Sequence, residues 1–270
     1  MSGTGKGYLL IVLFMFALSI AAPLLPLHDP NRIDLNSLRE PPGLMHPLGT
    51  DQKGRDILSR VIYGAKISLS VAIAASIASC LIGSLVGLVA GYYGGRVDAA
   101  FMAIVDFILS FPALLLAIAV SVVLPPGIYT VIIALTATGW TSFARLIRGQ
   151  VLTVKGLSFV DAARSVGCSD ARVLFVHITP NCLRVGFVMM GIKMGGFIIA
   201  EATLGFLGLG VQPPTPSWGA MISSSRAYIL TAPWTVFFPG LMITAMAFCF
   251  NLYAEKLKAR YDIGAIKNSS

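Results

Sequence analysis

Charge is what this chain has least of: only 12% of its 270 residues are Asp, Glu, Lys or Arg, against 56% hydrophobic residues. A soluble domain of this size could not cover that much apolar surface with so few charges. Phosphate-binding loops are missing too. No GxxxxGK[ST] occurs, and Gly3-Thr4-Gly5-Lys6, the nearest approach, has the wrong spacing and runs straight into an apolar segment. Neither HExxH nor GxSxG is present, so no catalytic residue is expected. The four cysteines, Cys80, Cys168, Cys182 and Cys249, form no CxxC pair and read as small apolar side chains. Of three histidines, His28 and His46 share one polar segment and suggest nickel ligands. Two imidazoles without a denser ligand set do not make a metal site, and none is expected. The formal charge of +8 comes with no basic patch interleaved with aromatics, which argues against a nucleic-acid partner.

The apolar residues are clustered, as a lipid environment requires, since one span needs about 20 of them. Six runs of roughly that kind follow one another: Tyr8–Leu27, Ile67–Gly91, Ala99–Leu124, Ile128–Phe143, Leu183–Leu209 and Pro233–Tyr253. The expected fold is therefore all-α, a polytopic membrane protein with six transmembrane helices. The first run, behind Lys6, also has the look of a secretory signal. The second run carries Gly83, Ser84, Gly87 and Gly91, small residues that let helices approach closely in lipid. Pro112 interrupts the third, and no internal repeat is visible. Residues 28–66 read as a polar loop.

Orientation follows from the basic residues. With the amino terminus placed in the cytoplasm, inner segments hold twelve Lys and Arg and outer segments seven, with Lys193 inside a span. The bias predicts both termini inside.

Between spans four and five lies a basic, mixed segment. Ser158-Phe159-Val160-Asp161 has the form of a capping box. Gly167 stands where a helix stop wants a left-handed residue, and Ser169 can cap a second short helix that lasts until Pro180. Two short helices hinged at a glycine are expected to project from the membrane. They suit either an amphipathic connector on the bilayer or a docking element for another protein.

Asp161-Ala162-Ala163 with Gly167 and Pro180 resembles the EAA loop of ATP-binding-cassette importer permeases, with Asp in place of the usual Glu. Leu48-Gly49-Thr50-Asp51 with Gly54-Arg55-Asp56, and the stretch Gly205 to Gly219 with Pro213-Pro214-Thr215-Pro216, resemble the dipeptide/oligopeptide/nickel permeases of that class, C-type. The resemblance implies a pore subunit of a binding-protein-dependent importer in the bacterial inner membrane, carrying dipeptides or oligopeptides by alternating access, or nickel by the same architecture. It implies a B-type permease partner, two cytoplasmic ATPase subunits that use the ATP and magnesium, and a periplasmic or lipid-anchored binding protein. No cofactor would sit on this chain itself. On this reading residues 1–66 are an N-terminal helix and periplasmic loop, 67–262 a five-helix core with its coupling loop at 155–180, and 263–270 a tail.

Asp106, Lys193 and Glu201 fall inside spans, where an ionised group costs roughly 2.5–3.5 kcal/mol. They are candidates for the pore or its gate. Lys193 and Glu201 lie about 12 Å apart along one helix and ~80° around it, so each needs another partner or water. An ion-coupled transporter using Asp106 or Glu201 is the main rival, and a membrane-embedded enzyme would need a catalytic pair that the sequence does not offer.

Overall fold

The computed structural model describes the backbone of residues 3–267 and the side chains of residues 10–259. Residues 268–270 of the expected tail lie outside the described residues. Helices dominate: α1 (Gly3–Ala21), α2 (Ile57–Tyr93), α3 (Gly95–Leu109), α4 (Ala113–Val123) and α5 (Ile128–Lys155) come first. They are followed by α6 (Ser158–Ser165), α7 (Asp170–Arg172), α8 (Thr179–Phe206), α9 (Trp218–Ser225) and α10 (Trp234–Lys267). Four helical runs are long and apolar enough to cross a membrane alone: α2, α5, Asp170–Phe206, and α10 as far as Ala259. The pair α3 and α4 makes a fifth apolar unit, and α1 contributes a shorter apolar stretch, Leu10–Leu24.

The third expected span is not one helix. It breaks between Leu109 and Ala113, and the halves meet at 89°. The cause is Pro112, which lacks an N–H and pushes Phe111 out of the helical region. Ser110 closes the first half by donating its backbone N–H to Asp106 O (3.0 Å).

Three expected boundaries shift. Helix α2 begins at Ile57 rather than Ile67, because Asp56 caps it, accepting from Ser59 N (2.7 Å) and Ser59 Oγ (2.6 Å). Helix α5 continues beyond Phe143 to Lys155. Arg145 and Arg148 read as an exit from the membrane, but each finds an aspartate on α3. The fifth helix starts at Thr179, prolonging a run that begins at Asp170.

The central contact is α2 against α5. Gly83, Gly87 and Gly91 form a stripe with one residue per turn, and the α5 backbone lies directly on it. A Cβ at Gly87 would stand 2.5 Å from Ala144 O, and one at Gly91 would stand 2.8 Å from Val151 Cβ. At Gly83 it would collide with Trp140 O. Spacing this close is open only to glycine. Around the seam, Leu69, Ala72, Leu135, Phe197, Ile198 and Met246 make the main core.

The loop before α2 is folded rather than slack. Thr50 and Asp56 pair as an isolated bridge, Arg55 Nη2 meets Asp51 Oδ2 at 2.7 Å, and Arg60 Nη1 donates to Pro30 O (2.7 Å). Trp218, wholly buried, donates Nε1–H to Val61 O (3.0 Å) and packs over Gly64, and Trp234 donates to Thr50 O (3.2 Å). Two tryptophans thus pin the 48–64 segment to α9 and α10.

Gly87→Val should cost about 1–3 kcal/mol through overpacking against Ala144 and Arg148. Gly149→Ala, which meets nothing within 4 Å, should be neutral. Thermal unfolding of both variants in detergent measures the difference, and equal melting temperatures would dismiss the seam.

Candidate functional site

At the basic end of the bundle, residues 155–180 turn out of α5 and back into α8. Helix α6 does not form the expected capping box. Its N-cap is Leu157, with no side-chain hydrogen bond, and Ser158 is already helical. The serine therefore comes one residue late to reach the free N–H groups. The glycine expectation holds: Gly167 sits at φ +82°. Its N–H donates to Arg164 O (2.9 Å) while Cys168 N–H donates to Ala163 O (3.1 Å), the paired bonds of a left-handed helix stop. Ser169 caps α7 by accepting from Arg172 N (3.4 Å). Pro180 does not end the second short helix. A π-helical segment, Val173–Ile178, widens the turn, and the chain passes through Pro180 into α8. Thr179 Oγ1 donates to Leu174 O (2.9 Å), occupying a carbonyl of the widened turn.

This elbow is rooted firmly. Val160 and Ala163 of α6 and Val173, Leu174 and Ile178 of the π segment join Leu88, Ile147, Val151 and Val154 in a second core. Tyr92, the last full turn of α2, is the hub. Its hydroxyl donates to Asp170 Oδ1 (2.5 Å), and its carbonyl accepts from Lys155 Nζ (2.6 Å). Its ring carries the Lys155 ammonium at 5.3 Å and the Arg164 guanidinium at 5.9 Å. Sequence reasoning missed this hub. The signal available was Tyr92 at a helix end beside Gly94, which reads equally well as an interfacial aromatic.

The outer side of the elbow is apolar and uncovered. Leu157, Phe159, Val166, Phe175 and Val176 are all exposed, Val166 to 80%. Asp161 and Ala162 are exposed beside them, with Ala163 buried beneath. Of the five residues expected to carry coupling, four (Asp161, Ala162, Gly167 and Pro180) face outward and Ala163 anchors.

The charged residues inside spans part company. Asp106 pairs with Arg145 (2.5 Å) although both side chains are more than half exposed. One turn on, Arg148 grips Asp98 through two nitrogens, at 2.5 and 2.6 Å. Lys193 is half-buried and donates to Ser142 Oγ (3.0 Å) on α5. Ser142 and Arg145, with Thr138 behind them, lie along one face of α5. Exposed ions on helices of membrane-crossing length cannot face hydrocarbon cheaply. Glu201 stands apart: fully buried, with Ser68 and Ser217 as its polar neighbours and neither closing a full hydrogen bond. Among the described residues no ion pair links Glu201 to Lys193 or Asp106.

Residues 83–263 match the family of binding-protein-dependent transport system inner membrane components. The chain is 44% identical over 254 residues, 94% of its own length and 82% of the relative's, to the glutathione transport system permease protein GsiD of Escherichia coli. The same protein of Shigella boydii matches equally. Among solved structures, a chain of the inward-facing MetNI methionine ABC transporter superimposes with a TM-score of 0.59 at 17% identity, covering 75% of this chain and 97% of that one. A chain of an amino acid ABC transporter with histidines gives 0.54 at 17%, covering 76% and 93%.

Tyr92→Phe removes one charge-assisted hydrogen bond and should loosen the elbow by about 1–3 kcal/mol. Hydrogen exchange across residues 156–172 should then quicken while α2 and α5 keep their protection. Unchanged exchange would remove Tyr92 from its role as hub.

Proposed function

This chain belongs to the binding-protein-dependent transport system inner membrane components and is a permease subunit of an ABC importer, and from that premise we propose how it works and what it carries. It forms half of a pore with a second, B-type permease and docks a cytoplasmic ATPase subunit on the 155–180 elbow. A binding protein delivers solute at the other face. The observation that carries this reading is the elbow itself: a well-rooted projection whose uncovered side is apolar. An element meant only to rest on lipid would not need a hub tying it to the ends of α2 and α5.

ATP supplies work only through a partner that closes on itself. When two ATPase subunits approach, each carries its elbow along, and α2 and α5 follow as a unit because the glycine seam joins them. Ligands bias this equilibrium by binding one state better than the other. The stripe of Ser142 and Arg145 with Asp106 and Lys193 lines the solute path or the facing permease, where an exposed ion pair avoids hydrocarbon. Glu201, sealed between α2 and the segment before α9, acts as an internal gate support rather than a solute contact. The solute is a small peptide. The relatives that transport glutathione favour a peptide over nickel or a nickel chelate. The uptake is inward, across the bacterial inner membrane, with both termini in the cytoplasm.

Val166→Asp tests the docking surface. Val166 is 80% exposed, so the isolated permease should melt as the wild type does. Co-purification of the ATPase subunit should fall, with glutathione uptake into vesicles falling in step. Wild-type assembly in this variant would exclude the elbow as the docking surface.

A further inference from the structure

We propose that His28, His46 and Asp56 form a binding site for a borderline divalent transition-metal ion such as Zn2+, at the end of the bundle opposite the elbow. The site does not depend on the transport reading. In sequence the three residues are spread over 29 positions, and nothing in their spacing suggests that they meet. The fold gathers them: one ligand atom from each lies within 4.8 Å of the others.

Three features of the chain bring this about. Arg60, buried in the first turn of α2, donates to Pro30 O (2.7 Å) and fixes the chain just after His28. The Thr50–Asp56 bridge and the bond from Gly49 N to His46 O (2.8 Å) fold the 46–56 stretch back on itself, so His46 Nδ1 stands 3.0 Å from Asp56 Oδ1. The rings of His28 and His46 then lie with centroids 5.0 Å apart and planes tilted by 42°, so the two imidazoles converge without stacking flat.

The oxygens of Asp56 divide their duties. Oδ2 caps α2, accepting from Ser59 N and Ser59 Oγ. Oδ1 faces His46 alone. A metal can therefore take Oδ1 without uncapping the helix. Zinc bonds of ~2.0–2.1 Å place neighbouring tetrahedral ligands about 3.3 Å apart, close to the His46–Asp56 separation. His28 is exposed and has room to swing the remaining distance, and its solvent side leaves a fourth position to water. Two imidazoles and one carboxylate select Zn2+, Ni2+ or Cu2+ over Mg2+ and Ca2+, which prefer all-oxygen sites. The positive start of α2 and the nearby Arg55 and Arg60 oppose a cation, with Asp51 neutralising part of that charge. Affinity should accordingly be micromolar rather than nanomolar. Once bound, the ion would join three separate points of the loop, the extended chain at 28, the turn at 46 and the helix start at 56, into one clip.

The test uses the full chain in detergent, carrying a tag without histidine. Zn2+ is titrated in competition with a chromogenic chelator, and unfolding is followed with and without Zn2+. Saturable binding in the wild type, at least tenfold weaker in His28→Ala, together with a zinc-dependent rise in melting temperature that His28→Ala loses, supports the site. His177→Ala, at the other end of the bundle, should bind as the wild type does. His28 is exposed, so its replacement leaves the fold intact even if His46→Ala proves unstable. Absence of saturable binding, equal binding by His28→Ala and His177→Ala, or displacement of Zn2+ by equimolar Ca2+ overturns it.

Discussion

Everything in this molecule depends on how closely α2 approaches α5. The stripe of Gly83, Gly87 and Gly91 lets the α5 backbone settle where a single methyl group would collide with Ala144, Arg148 or Val151. In lipid no hydrophobic force pulls two apolar helices together, so van der Waals contact at this range must do it. Because both helices run on to the basic end, finishing at Tyr93 and Lys155, the seam also sets the platform on which the elbow sits. The bond from Lys155 Nζ to Tyr92 O closes that platform at its edge. Remove the close approach and the elbow loses its footing.

The opposite end is organised by different chemistry. There the 28–56 loop is held by buried charge: Asp51 with Arg55 and Arg60, Asp56 with His46, and tryptophan N–H groups on Val61 O and Thr50 O. Such groups are costly to bury singly, and each has its partner here. The motif Leu48-Gly49-Thr50-Asp51 with Gly54-Arg55-Asp56 thereby acquires a physical meaning. The glycines clear space, since a Cβ at Gly49 would meet Trp234 and one at Gly54 would meet Asp34, while the charges lock the loop that remains. One end of the bundle is thus a rigid cap and the other a projecting arm, an arrangement suited to force applied at one end and solute handled along the length.

Much of this was legible in the sequence. Apolar clustering gave the helical membrane class, and the small residues of the second run announced a packed helix. Gly167 and Ser169 marked the turn of the elbow, and the motif resemblance points to the same family as the whole-chain similarity. What misled was charge read one residue at a time. Arg145 and Arg148 looked like the end of a span, and Arg60 like part of a loop. Their partners, Asp106, Asp98 and Asp51, lie on other elements, and only the fold brings them together. The same blindness hid Tyr92 as a hub and Asp56 as neighbour to two histidines. Ser158 failed as a cap for a more local reason, since one residue of register separates a capping serine from a helical one. Pro112 was read as an interruption, and only the fold gives its size, an 89° bend.

The central claim is mechanical: elbow and seam move as one body. Spin labels on Ser165 of α6 and Leu152 of α5, both exposed, with Cys168 replaced by serine and a third label on the elbow of the second permease, report on it directly. Pulsed-dipolar distances would be measured in the assembled transporter without nucleotide and with ATP trapped. The account predicts one unchanged distance within a permease while the separation between the complex's two elbows shifts. A Ser165–Leu152 distance that changes with nucleotide, with the separation between elbows fixed, would contradict it.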